Sequence, residues 1–264
     1  MRLTILGSGT LVPDDGRHGS AYLLEGQGFL LLMDCGSGTL HGLDRHGVRW
    51  QDLTHVVLSH FHADHVGDIA ALLVALKHGA LPPRRDRLTI LGPRGLEGLL
   101  TKLGDAFGTT LLKGGFPLDL IEPGRPGTWS DPVRGLRLAT HPTPHTPSSV
   151  AWRVEYGDEV IGYTGDTGPH PPLAGFLAGA DVLITECSFP DPPPMDTHLT
   201  PRGVAALLAG ATPRLAFLTH MYPALEPGTA KGLVRKAGYS GRLEEARDGL
   251  VVEIGAGEPR LIRP

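Results

Sequence analysis

The chain of 264 residues carries a formal net charge of −4, with 41% hydrophobic and 20% charged residues. Such a chain can bury a substantial core, has the composition of a soluble globular protein, and lacks the basic excess that marks a nucleic-acid binder. Its 37 glycines and 24 prolines are dispersed among apolar segments, which excludes a disordered chain, and no apolar run is long enough to span a bilayer.

Met1-Arg2 leads straight into a strand-like segment at 3–6 without signal-peptide architecture, so a cytoplasmic location with no membrane partner is expected. Gly7-Ser8-Gly9 reads as a tight turn whose backbone amides face the cleft; with no third glycine and no Lys-Ser/Thr, it is not a nucleotide loop. Further strand-like segments follow at 21–24, 29–33 and 56–58. Val66, Ile69, Leu72, Leu73 and Leu76 then recur at helical spacing, with Gly79 as C-cap. Arg84, Arg85 and Arg87 form a small basic cluster, read as a solvated loop, before a strand at 88–91 and a helical stripe of Leu96, Leu99, Leu100 and Leu103.

Residues 122–132 contain three prolines and two glycines and read as the join between two halves. The second half offers strands at 136–140, 149–155, 160–163, 182–185, 215–218 and 250–254. Thr200 and Pro201 are suited to the N-cap and first position of a helix carrying Val204, Leu207 and Leu208. The expected architecture is α/β: two mixed sheets covered outside by helices, a four-layer αββα sandwich, with residues 1–264 forming a single domain of two pseudo-repeated halves. Cys35 and Cys187 each follow an apolar run and read as small buried thiols, not as a disulfide framework.

The chemistry concentrates in Ser59-His60-Phe61-His62-Ala63-Asp64-His65, directly after the strand at 56–58. Alternation along an extended segment turns His60 and His62 the same way, and Asp64 and His65 issue together from the first turn of a helix. Imidazole and carboxylate are ligands that zinc and similar divalent ions accept, so one short peptide can serve two neighbouring ions. The competing reading is a histidine-rich surface turn, which rarely follows a strand with this spacing. Other ligand-type residues stand at or near strand ends: His145, Asp166 and His220. Each is weak alone, but together with the cluster they make coincidence a poor explanation. Tyr163 and Tyr222 lie close by and could line a substrate pocket, although strand-end aromatics more often belong to a core.

These motifs, with Leu6-Gly7-Ser8-Gly9-Thr10, Met33-Asp34-Cys35-Gly36, Gly165-Asp166-Thr167, Glu186, His198-Leu199-Thr200 and Leu218-Thr219-His220, follow one another nearly end to end as in a known family. The chain resembles the metallo-β-lactamase fold superfamily, and within it the ribonuclease Z-like hydrolases. The resemblance implies that His60, His62 and His145 hold one metal, that Asp64, His65 and His220 hold the other, and that Asp166 bridges them. Asp34 would orient ligands through hydrogen bonds. The implied cofactors are two divalent ions, zinc or else manganese. Two such ions about 3.5–4 Å apart can hold water as a metal-bound hydroxide and clamp a phosphoryl oxygen. Asp64, His198 and Glu186 take the implied catalytic roles, with His198 protonating the leaving group and Glu186 orienting it. His62 stands where redox di-iron relatives commonly have Glu, which favours hydrolysis.

Departures from ribonuclease Z narrow the substrate. Trp152-Arg153-Val154 passes through a short Gly157-Asp158 turn, leaving no room for that family's tRNA-binding arm. The family's Pro-x-Lys-x-Arg-Asn loop reads Pro13-Asp14-Asp15-Gly16-Arg17-His18, an acidic version that would repel phosphate. The family's His-Glu-Ala-Thr reads Thr185-Glu186-Cys187-Ser188. The reading adopted is a dinuclear phosphodiesterase acting on small-molecule or short oligonucleotide substrates, not long nucleic acid, with a homodimer as the assembly common in the family. The alternative is a carboxylic ester, thioester or lactone hydrolase on the same metals. A scaffold with a decayed site is disfavoured, because all seven ligand-type residues are present.

Overall fold

The computed structural model describes residues 1–14, 16–108, 111–113, 115–226 and 228–262; Asp15 lies outside the described residues. Its strands alternate buried side chains between two faces, which requires cover on both. In β1 (Arg2–Gly7), Leu3 and Ile5 face one apolar cluster and Leu6 another. In β3 (Phe29–Met33), Leu31 and Met33 join the first cluster and Leu32 the second. The same split recurs in β11 (Val182–Glu186) and β12 (Leu215–Thr219): Val182, Ile184, Leu215 and Phe217 point to the shared cluster, Leu183, Ala216 and Leu218 to a third.

The shared cluster lies between two sheets. One has the order β15 (Arg260–Ile262), β14 (Val251–Glu253), β1, β2 (Ala21–Gly26), β3, β4 (His55–Val57), β5 (Leu88–Leu91), β6 (Leu118–Ile121). The other has the order β13 (Leu243–Glu245), β12, β11, β10 (Glu159–Tyr163), β9 (Val150–Tyr156), β8 (Leu136–Pro142), β7 (Gly127–Asp131). Both are mixed, with β3 to β6 parallel in one and β10 to β13 parallel in the other. Outside the first sheet, α1 (Thr39–Arg45), α3 (Ile69–His78) and α4 (Leu96–Ala106) bury leucines against it; outside the second, α5 (Pro171–Phe176) and α6 (Pro201–Ala211) do the same, and α7 (Ala230–Lys236) buries Ala230 and Val234. The result is the expected αββα sandwich.

Local differences have local causes. The helix expected from Val66 is two: α2 (Ala63–Val66), then α3 after Gly67-Asp68, with Gly79 at its C-cap. Asp68 does not cap α3 with its side chain; its carboxylate accepts the N–H groups of Gly38 and Leu40 at 3.1 and 3.0 Å and so fastens the start of α1. Thr200 and Pro201 open α6 as expected, the Thr200 hydroxyl accepting the Gly203 N–H. Within the turn-rich 122–132, β7 forms an edge strand; its exposed Thr128 and Ser130 leave little apolar signal to read. Arg84 is not the solvated loop residue expected. It is buried, donates to the carbonyls of Gln51, Leu53, Asp86 and Arg87, and sits 5.2 Å over the Phe116 ring. Cys35 and Cys187 are buried and free, as expected. Among the described residues no helix is long and apolar enough to cross a membrane.

His55 adds a pH dependence. It is buried between the sheets, with Nδ1 2.8 Å from the Thr54 hydroxyl and Nε2 3.5 Å from Asp131. Burial, only partly offset by Asp131, lowers its pKa from 6.5 to about 4. Above about pH 6.5 it is neutral folded or unfolded; between there and about 4 only the unfolded chain takes the proton, so stability falls as pH falls. The full loss is on the order of 3 kcal/mol. His55→Asn, which cannot titrate, is expected to flatten the difference between urea midpoints at pH 7 and 4; an unchanged slope refutes the assignment.

Candidate metal centre

The ligand-type residues converge at strand ends of both sheets, all but His145 following strands of the parallel segments. After β4, Ser59 donates its N–H to Asp34 Oδ1 and its hydroxyl to Oδ2, both at 2.7 Å, which turns His60 inward. His62 is the extended N-cap of α2, and Asp64 and His65 occupy its first turn. Asp34, directly after β3, and His220, directly after β12, both adopt φ 56. That left-handed conformation costs a non-glycine residue roughly 1–2 kcal/mol, held here by the groups around them. Asp166 follows β10, and His145 lies in the turn between β8 and β9.

Asp166 stands at the centre. Its carboxylate is 3.3 Å from His65 Nε2, 3.5 Å from His220 Nε2, 3.6 Å from His145 Nε2 and 3.7 Å from His60 Nε2. His145 Nε2 is 3.0 Å from His62 Nδ1, and His220 Nε2 is 3.1 Å from Asp64 Oδ2. Partners on the far side of the rings fix the tautomers. His145 Nδ1 faces the Thr197 carbonyl at 3.1 Å, and a carbonyl only accepts, so Nδ1 bears the proton and Nε2 a lone pair. His65 Nδ1 faces the Asp34 carboxylate at 2.7 Å and likewise bears a proton. Burial opposes a charge on this ring, but Asp166 and Asp34 outweigh it and raise its pKa well above the usual value, so a cation at Nε2 would take the place of a proton there.

These lone pairs fit a cation. The Nε2 atoms of His60 and His65 are buried without any hydrogen-bond partner, an arrangement costly unless something positive meets them. Among the described residues, His60, His62, His145 and Asp166 form one group whose ligand atoms lie within 4.8 Å of one another; Asp64, His65 and His220 form a second, and Asp166, His198 and His220 a third. Imidazole and carboxylate donors in such groups suit a divalent metal. Burial holds the His60 pKa well below its usual value, favouring the neutral ring. Burial alone would raise Asp166, but His220, His65 and His60 outweigh it and keep the carboxyl well below the carboxylate range.

Beside this cluster, His198 Nδ1 lies 3.1 Å from both oxygens of buried Glu186. The His198 ring centre is 4.7 Å from that of His145 and 5.7 Å from that of His220. Burial opposes a charge on His198, yet its hydrogen bond to Glu186 and the Glu186 charge prevail and raise its pKa. Glu186 also accepts the N–H groups of Thr167 at 2.6 Å and Leu199 at 3.1 Å.

Expectations are met in part. Tyr163 is a core residue, the reading favoured for a strand-end aromatic: it is buried and donates its hydroxyl to Asp34 Oδ2 at 2.6 Å. Tyr222 is half-buried, stacked on Phe189 at 4.7 Å and edge-on to His220. The amides of Gly7-Ser8-Gly9 do not face the cleft as expected: Ser8 N–H donates to Asp248, and Gly9 N–H to the His18 carbonyl. Asp14 in the loop read as acidic is paired with Arg17. The Gly157-Asp158 turn between β9 and β10 is as short as expected. Sequence reasoning overlooked Ser59, Ser188, whose hydroxyl lies 3.0 Å from His220 Nδ1, and Asp248. The one signal for Asp248 was an Asp-Gly turn before a strand.

Residues 30–221 match the family described as "Beta-lactamase superfamily domain". The chain is 28% identical to the ribonuclease Z of Mycolicibacterium paratuberculosis (strain ATCC BAA-968 / K-10), in an alignment covering 97% of this chain and 99% of that protein. It resembles the metallo-beta-lactamase fold protein YhfI from Bacillus subtilis with a TM-score of 0.78 and 26% identity, over 95% of this chain and 98% of YhfI. The human short-form tRNase Z superposes with a TM-score of 0.76 at 22% identity, over 97% and 100% of the two chains. With the family match spanning both sheets and the imidazole–carboxylate cluster between them, the chain belongs to the beta-lactamase superfamily and is a metal-dependent hydrolase.

Proposed function

We propose that this hydrolase is a phosphodiesterase for small or short phosphodiester substrates, working with two divalent ions, zinc or manganese, in one domain formed by the whole chain. His60, His62 and His145 would hold one ion, Asp64, His65 and His220 the other, with Asp166 shared between them. Bound there, such ions supply a water acidified toward neutral pH and positive charge against the phosphoryl oxygens. The chain's own residues do the rest. Asp34, through its bond to His65 Nδ1, fixes which nitrogen of that ring is free. Glu186 keeps a proton on His198 Nδ1, so the opposite nitrogen, Nε2, is the atom that hands a proton to the leaving oxygen.

The buried His198–Glu186 pair beside the cluster carries this reading, because a phosphodiester with a poor leaving group needs an acid and a simple acyl ester does not. Similarity to ribonuclease Z agrees with it, and the short Gly157-Asp158 turn directs the proposal to short substrates instead of tRNA. The zinc-loaded protein is expected to carry close to two equivalents per chain and to lose hydrolysis of an aryl phosphodiester on chelation. A rate panel of phosphodiester, phosphomonoester, thioester and lactone should put the diester first. Faster turnover of the thioester or lactone would reassign the substrate to the acyl class; one iron per chain without diesterase activity would reassign the reaction.

A further inference from the structure

Asp248, in the turn before β14, takes no part in the proposed chemistry, yet four donors from two loops converge on it. Its Oδ1 accepts the N–H and the hydroxyl of Ser8, each at 2.8 Å. Its Oδ2 accepts the N–H of His18 at 2.8 Å and lies 2.8 Å from Nδ1 of the same residue. An ionised carboxylate offers about four lone-pair directions, so both oxygens are filled. Gly9 N–H donates to the His18 carbonyl at 2.7 Å and closes the two loops on each other.

Each loop reaches a different ligand-type residue. The Ser8 carbonyl accepts the N–H of His220 at 3.1 Å and the hydroxyl of Thr219 at 3.2 Å, where His220 adopts its left-handed φ of 56. After His18 the chain presses on the backbone of Asp64: a Cβ on Gly19 would lie 2.8 Å from the Asp64 carbonyl oxygen, and one on Gly36, whose N–H donates to Ser20, 2.2 Å from it. The side chains of Asp64 and His220 are the pair that meet at 3.1 Å. His60 and His145 are held by other groups, the Ser59 hydroxyl and the Thr197 carbonyl.

We infer that Asp248 is a positioning residue for one half of the centre: it clamps the Ser8 and His18 loops and thereby sets Asp64 and His220 for the second metal position, leaving the His60–His62–His145 position alone. This rests on the two-metal reading above. Zinc-loaded wild type, Asp248→Asn and Ser8→Ala are titrated with a chelator, and zinc released per chain is counted. Wild type should release zinc in two steps. In Asp248→Asn one step is expected at roughly ten- to hundred-fold lower chelator activity with the other unmoved, and Ser8→Ala, which keeps the N–H bond, should shift the same step by less. Cobalt-loaded protein should show a changed visible spectrum for that equivalent only. Both steps moving together, or neither moving, overturns the inference while the two-metal reading stands. A wild type releasing a single equivalent fails that reading and the inference with it. Should Asp248→Asn lose its far-UV circular dichroism, Ser8→Ala decides.

Discussion

Replacing Asp166 by alanine is expected to remove at least about 1,000-fold of kcat/KM on an aryl phosphodiester, which corresponds to about 4 kcal/mol. Four imidazole nitrogens lie within 3.7 Å of this one carboxylate, two of them with no other partner. Among the described residues it is the only carboxylate that reaches rings from both proposed metal positions, so its loss would deprive both positions of the negative charge they share. Removing one partner from a buried charge cluster costs about 3–5 kcal/mol. The scaffold should survive, because the Asp166 contact that ties the loops is its backbone carbonyl, which accepts the Thr143 hydroxyl at 2.9 Å. Metal content by elemental analysis and kcat/KM should therefore fall together while the far-UV spectrum holds. Asp166→Asn keeps the shape without the charge and is expected to lose nearly as much. Activity within tenfold of wild type would deny Asp166 the shared role.

The candidate cluster was legible because metal ligands obey local rules, whereas the shared role proposed for Asp166 came from the family resemblance. Three imidazoles and a carboxylate directly after an apolar strand can be recognised without a fold, and strand-end His145, Asp166 and His220 become meaningful beside them. The four-layer architecture was legible too, since strands apolar on both faces need two covers and the helical stripes between them provide these. What could not be read depends on proximity that only folding creates. Ser59, Ser188 and Asp248 are common polar residues whose neighbours bring them within bonding distance of Asp34, His220 and Ser8. The left-handed turns at Asp34 and His220 carry no glycine to announce them. Tyr163 could be read as a core residue, as strand-end aromatics more often are, but not as the partner of Asp34, a bond that only the fold brings about. Strand β7 escaped because an edge strand with one exposed face needs little apolar sequence.

The second large effect separates chemistry from substrate. His198→Ala is expected to slow hydrolysis of an alkyl phosphodiester by about 100- to 10,000-fold, the range typical for a positioned general acid, and of a nitrophenyl diester by less than about tenfold. An alkoxide is too basic to leave unprotonated at neutral pH, whereas nitrophenolate leaves without help, so only the first reaction needs the His198 proton. Substrate binding and metal content should change little, because His198 is held by Glu186 and not by the carboxylates that meet the other rings. Glu186 is the poorer probe: it also accepts the N–H of Thr167, next to Asp166, so Glu186→Gln would disturb the shared carboxylate as well as the acid. A Brønsted plot of log kcat/KM against leaving-group pKa reads this directly. The slope should steepen in His198→Ala, and parallel lines for variant and wild type would strip His198 of the acid role while leaving the metal centre untouched.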